Sequence, residues 1–224
     1  MSGSKKAGKA KKAAKAVAKQ DVQGTHRATR SHDGPVLRAA GKASELADQP
    51  PLIALSTATM VAGALLRHPA VLRAGTRMLA SHLIATGIKT VLKNGIDRTR
   101  PARAVKDGHH IGKGNGSGDT SLNSFPSGHT AGAVAVAQAV AHESTVAGLP
   151  LQAAAIGVAA LQPSRGKHYV SDVVAGAAIG WASERVAGAL LRIAGAGAAA
   201  ALARWRAAPD AVVSAPAGGA TPPD

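Results

Sequence analysis

Long stretches of this chain carry little or no charge, and that limits what the chain can fold into. Five long segments, at 52–66, 70–95, 127–143, 144–164 and 172–203, are built mainly from Ala, Gly, Leu, Val and Ile. The stretches 52–66 and 144–164 carry no charged residue at all. Small side chains in such segments favour thin helices packed closely, and no convincing strand alternation accompanies them. The expected fold class is therefore all-α: a bundle of about five to six apolar helices with its polar chemistry at one end. A spanning helix needs about 20 mostly apolar residues, and only 144–164 reaches that length without a charge. Mean hydropathy is only +0.04. Composition alone leaves a membrane-embedded bundle and a soluble Ala-rich bundle equally open.

The polar parts of the chain divide its 224 residues into three regions. Residues 1–30 hold nine Lys or Arg against one acid, Asp21, a local excess of 9 − 1 = +8 within a total of +15. Such a run has too little apolar surface to offset ordering entropy, so 1–34 reads as a basic disordered tail. An electrostatic tether to anionic lipid headgroups or to nucleic acid is the functional alternative. Residues 35–206 form the helical domain, opening with a short amphipathic helix at 35–48. Residues 207–224, rich in Pro, Gly and Ala, read as a second disordered tail. Aromatic residues make up 2% of the chain, too few for the stacking platforms of single-strand nucleic-acid binders. The absence of Cys removes disulfide scaffolds, thiolate zinc sites and Cys nucleophiles.

Three polar clusters interrupt the apolar segments. The first runs from Lys93 to Arg100 and Pro101, the second holds Ser124, Pro126, Ser127, Gly128 and His129, and the third holds Ser164, Arg165, His168 and Asp172. Successive antiparallel helices bring all three to one end of the bundle. Lys93 and Arg100 supply fixed positive charge, and an Arg fork suits phosphate oxygens. Pro126 to His129 opens a helix, whose first N–H groups point at an anion that Gly128 allows to approach. His129 titrates near neutrality and suits a general acid or base. His168 and Asp172, four apart, share a helix face, and a carboxylate beside an imidazole fixes its tautomer. Together these residues describe phosphoryl transfer through a His nucleophile.

The three clusters resemble the motifs of the type 2 phosphatidic acid phosphatase superfamily, which also contains the vanadium haloperoxidases. The family pattern is Lys-x6-Arg-Pro, then Pro-Ser-Gly-His, then Ser-Arg-x5-His-x3-Asp. Lys93 to Pro101 matches the first element, Pro126 to His129 the second, and His168 to Asp172 the later half of the third. The resemblance extends over roughly 52–192. One departure stands out: the family's Ser-Arg register falls on Leu161 and Gln162, while this chain places Ser164 and Arg165 closer to His168.

The resemblance implies catalysis by His168, His129 and Asp172. His168 attacks phosphorus, Asp172 orients it, and His129 protonates the leaving group and later activates water. It implies that Lys93, Arg100, Ser127, Gly128 and, by compensation, Arg165 hold phosphate, with no metal and no cofactor. The implied partners are a membrane and a phosphorylated lipid: phosphatidate, phosphatidylglycerol phosphate or a polyprenyl pyrophosphate. No specific nucleic acid is expected. The implied location is multi-pass in a bacterial inner membrane. Two other readings stay open: a soluble acid phosphatase or haloperoxidase-like enzyme, and a non-catalytic basic protein associated with nucleic acid. His109 and His110 read as loop residues, and Asp97 and Arg98 as exposed. A count of five segments puts the basic tail and the active-site loop on one side, which the positive-inside rule assigns to the cytoplasm.

Overall fold

The computed structural model describes residues 19–25, 27, 34–114, 116 and 118–207, without the side chains of 36, 37 and 201–207. The tail expected at 207–224 and most of the tail expected at 1–34 lie outside these residues. Within the described part of the basic tail, residues 19–25 are helical.

Proline and short polar caps set the helix starts. Helix α1, Pro35–Ala43, runs into a 3-10 turn at Ser44–Ala47. Asp48 caps α2, Gln49–Leu65, by accepting from the Gln49 N–H at 2.9 Å. Pro50 and Pro51 occupy its first turn, where a missing N–H costs nothing, so this pair opens a helix as well as ending the one before. Arg67, at φ 53, makes the reversal into α3, Pro69–Gly95. Ser127 caps α5, Gly128–Glu143, and Ser144 caps α6, Thr145–Ser164. Helix α7 covers Val170–Ala207. These bounds follow the five apolar segments of the sequence closely.

The loop between α3 and α5 contains structure the sequence does not announce. Strand β1, Ile96–Arg98, pairs antiparallel with β2, Ile111–Lys113, with Asp97 opposite Gly112. Helix α4, Pro101–Asp107, lies between them. Three-residue strands are too short to show alternation, which is why the segment reads as irregular from its glycines alone.

Two compact units partition the described chain at Gly188. In the first, α2 packs on α3, α3 on α5 and α5 on α6. Leu52, Met78, Val136, Ala139 and Val140 form one buried cluster, and Ala85, Ala131 and Ala135 another. Close approach replaces bulk in this core. A Cβ at Gly176 would stand 2.5 Å from the Ser127 carbonyl oxygen, and one at Gly180 would collide with that of Ala131. These contacts seat the start of α7 directly against the start of α5. Glu184 of α7, fully buried, accepts from Arg77 Nε of α3 at 2.7 Å. In the second unit, from Ala189, the chain is helical to Ala207, and Leu190, Leu191 and Ile193 are exposed.

Apolar residues also cover the outside of the first unit. Leu55, Leu65, Leu83, Val91, Leu149, Ile156 and Val174 are all exposed. One helix, Thr145–Ser164, is long and apolar enough to cross a membrane, with mean hydropathy 1.4, and only 17% of its most apolar stretch is buried.

Candidate active site

The site is assembled where α3 ends and α5 and α7 begin. Helix α7 opens on a reciprocal cap: the Tyr169 carbonyl accepts from the Asp172 and Val173 N–H groups, while the Asp172 Oδ2 accepts from the Tyr169 N–H at 2.8 Å. A carboxylate three positions in, reaching back to the cap, satisfies a donor the helix itself leaves orphaned. His168 stands immediately before this cap and is 3% exposed. Its Nδ1 is bonded to the Ser124 carbonyl oxygen at 2.6 Å. A carbonyl only accepts, so Nδ1 carries the proton and Nε2 keeps its lone pair.

Asp172 lies 3.9 Å from His168 Nδ1 and makes no hydrogen bond to it. Its carboxylate takes Arg98 Nη1 at 2.5 Å and the Ser124 Oγ–H at 2.6 Å. The carboxylate thus acts on His168 mainly through Ser124, whose hydroxyl it holds and whose carbonyl holds the ring.

Two cations face His168. Lys93, on the polar last turn of α3, donates to the Asn123 carbonyl at 2.5 Å. Burial, then the positive Arg100 and Lys89, pull its pKa down to about 8 against an upward pull from Asp172. Arg100 caps α4, and its Nε is buried without a partner. A buried guanidinium N–H with nothing to donate to is costly, and a phosphate oxygen is the acceptor its geometry suits. Burial first, then Lys93, Arg100 and His129, drive His168 well below the usual imidazole range, despite the Ser124 carbonyl. His168 is therefore neutral at physiological pH.

The second motif is placed beside these groups. The Ser127 backbone N–H donates to the Asp172 carbonyl at 3.0 Å, and its hydroxyl is engaged with Thr130, so the side chain serves as the helix cap. Gly128 and His129 begin α5, their N–H groups free of intrahelical partners. Lys89 of α3 lies over Gly128, where a Cβ would meet its Cδ at 2.8 Å. His129 is half-buried. Burial lowers its pKa first, with Lys167 and Arg165 adding to that and Asp48 and Glu45 opposing.

Arg165 is turned elsewhere. Its Nη1 donates to Ser44 Oγ and its Nη2 to Glu45 Oε1, both at 2.8 Å. It ties the third motif to the 3-10 turn after α1, and its charge reaches His129 from there. Gln162, at the register of the family arginine, is fully buried and donates Nε2 to the Val158 carbonyl, with Oε1 unpartnered. Lys93, Arg100 and His129 act on the charge of His168 and Asp172 lies 3.9 Å from it; Ser127 is bonded to the Asp172 carbonyl, Gly128 lies under Lys89, and Arg165 is paired with Glu45.

Asp97 and Arg98, expected to be exposed, are 8% and 5% exposed. The short ribbon that the sequence does not reveal turns both inward, and Arg98 is held by carboxylates. One signal was available: Arg98 and Arg100 are two apart in extended chain, so their side chains leave the backbone on the same side. Arg98 also sits 4.1 Å over the Tyr169 ring, and His109 meets that ring edge-on at 5.2 Å. His109 is thus packed beside the site. Among the described residues no group of three or more His, Asp or Glu is placed to hold a metal ion.

A family model described as the PAP2 superfamily matches residues 74–195, more than half of the chain. No curated protein matches the chain significantly. Among solved structures, the crystal structure of LpxE from Aquifex aeolicus is similar at 20% identity and a TM-score of 0.56. The match covers 74% of this chain and 92% of that one.

Proposed function

Because this chain belongs to the PAP2 superfamily, we propose that it is a metal-independent phosphatase of a phosphorylated lipid that works through a phosphohistidine on His168. One observation carries the reading. His168 is buried and neutral, its Nδ1 proton is committed to the Ser124 carbonyl, and its Nε2 lone pair shares the site with Lys93 and an incompletely partnered Arg100. That is a nucleophile with an anion site in front of it.

In this mechanism Nε2 attacks phosphorus as the bond to the leaving oxygen breaks, and His129 gives that oxygen its proton. Water then attacks phosphorus, His129 takes the water proton, and the bond to Nε2 breaks to release phosphate. Lys93, Arg100 and the Gly128 N–H hold the oxygens on which charge accumulates. Ser127 aims those first-turn N–H groups through its cap. Asp172 sets the ring through Ser124, and Arg165 acts from the rim through its charge on His129.

The outward apolar surface supports the lipid substrate and the location. A patch of exposed large aliphatic side chains marks an interaction surface in a soluble protein, and a 20-residue apolar helix that is mostly unburied is more stable in lipid than in water. The reading places the bundle across a bacterial inner membrane, multi-pass, with the polar end and its basic residues at the cytoplasmic face. The test is hydrolysis of phosphatidate, phosphatidylglycerol phosphate and a polyprenyl pyrophosphate in detergent micelles with excess EDTA. Turnover of at least one, blocked by vanadate as a transition-state analogue, is expected. Loss of activity on chelation, or hydrolysis of none of them, contradicts the reading.

A further inference from the structure

The site has a component outside the matched region 74–195. In the helical segment 19–25, Asp21 Oδ2 accepts from Arg98 Nη2 at 2.8 Å and its Oδ1 from the Ser171 N–H at 3.1 Å. The Ser171 hydroxyl also bonds to Asp21. The Asp21 side chain is only 7% exposed and that of Arg98 6%. Thr25, one turn later on the same helix face, is fully buried. The one acid of a lysine-rich stretch is therefore the residue that docks it.

Arg98 divides its two terminal nitrogens between two carboxylates, Nη1 to Asp172 and Nη2 to Asp21. Remove Asp21 and Nη2 loses its acceptor in a buried place, with Nε already unpartnered. The guanidinium then competes for the Asp172 carboxylate, which also holds Ser124 and, through Ser124, His168. We propose that residues 19–25 are an intramolecular latch, with Asp21 a positioning residue that fixes the chain Arg98–Asp172–Ser124–His168. The inference rests on the phosphatase reading for its consequence, and on geometry alone for the contact.

Two measurements on the full chain separate these. The first is steady-state kinetics of wild type, Asp21→Asn, Asp21→Glu and, as a control, Glu143→Gln, whose partner is Arg73 near the start of α3. Asp21→Asn is expected to lower kcat about tenfold, the low end for loss of an orienting partner. KM stays within about twofold because no phosphate ligand is touched, Asp21→Glu recovers most of the loss, and the control is unchanged. The second is hydrogen exchange at the Ser171 amide in Asp21→Ala, which removes the acceptor that Asp21→Asn would keep; exchange is expected to quicken there while amides of α5 stay protected, which also shows that the variant folds. Wild-type kcat in Asp21→Asn overturns the positioning role, and unchanged Ser171 exchange overturns the contact itself. A wild-type enzyme inactive on every phosphate ester overturns the phosphatase reading and with it the positioning role, while the exchange measurement still decides the latch.

Discussion

At the scale of single residues, the protonation states of the two histidines predict where the enzyme works. His168 must be neutral to attack and His129 protonated to donate. Burial drives His168 well below the ordinary imidazole value of 6.5, and His129 is lowered less severely. Activity is lost as pH falls through the pKa of His168 and as it rises through that of His129. The kcat/KM profile, which reports the free enzyme, should therefore be a bell centred on the acid side of pH 6.5. A profile rising steadily to pH 8 would contradict a protonated His129 as the proton donor. Lys93 predicts a separate effect on binding. With its pKa near 8, it loses its charge as pH rises through that value, so inhibition by inorganic phosphate should weaken above pH 8. In Lys93→Arg the charge persists, and inhibition should hold to pH 9. Equal weakening in both proteins would remove Lys93 from the anion site.

At the scale of elements, the site depends on how closely α7 lies on α5. The Ser127 N–H reaches the Asp172 carbonyl only because Gly176 and Gly180 carry no side chain at that contact. Gly180→Val forces the helices apart, with an overpacking cost of about 1–3 kcal/mol. It should cut kcat at least tenfold while the protein still melts cooperatively, since separated helices also separate Ser124 from Asp172. Full activity in a folded Gly180→Val protein would show that the site tolerates loose packing. The element scale is also where sequence reading was strongest and weakest. Helix bounds were legible because proline, serine and aspartate caps sit at the ends of long charge-free runs. The ribbon of β1 and β2 was not, because its pairing is fixed by neighbours remote in sequence, such as Asn123 bridging Arg98. The burial of Arg98 went unread for the same reason. The three motifs of the candidate site were legible because each sits at a helix end. The partner of Arg165 was not, because Ser44 and Glu45 are more than a hundred residues away.

At the scale of the whole molecule, one pattern joins fold and chemistry: large apolar side chains such as Leu55, Leu83 and Ile156 are exposed on the first unit, and Lys93, Arg98, Arg100 and Asp172 gather about a neutral histidine. The buried Arg77–Glu184 pair ties α3 to α7 within the apolar body. Glu184→Ala should destabilise the protein by about 3–5 kcal/mol, because it strands a buried guanidinium, and a melting temperature unchanged from wild type would show the pair to be idle. The proposed mechanism requires covalent catalysis by His168. Rapid acid-free quenching of enzyme turning over a 32P-labelled lipid phosphate, followed by peptide mapping, tests it most directly. The prediction is an acid-labile, alkali-stable label on His168, formed at the rate of turnover and absent from an inactive His168→Ala. Label on any other residue, or hydrolysis persisting in His168→Ala, would contradict it.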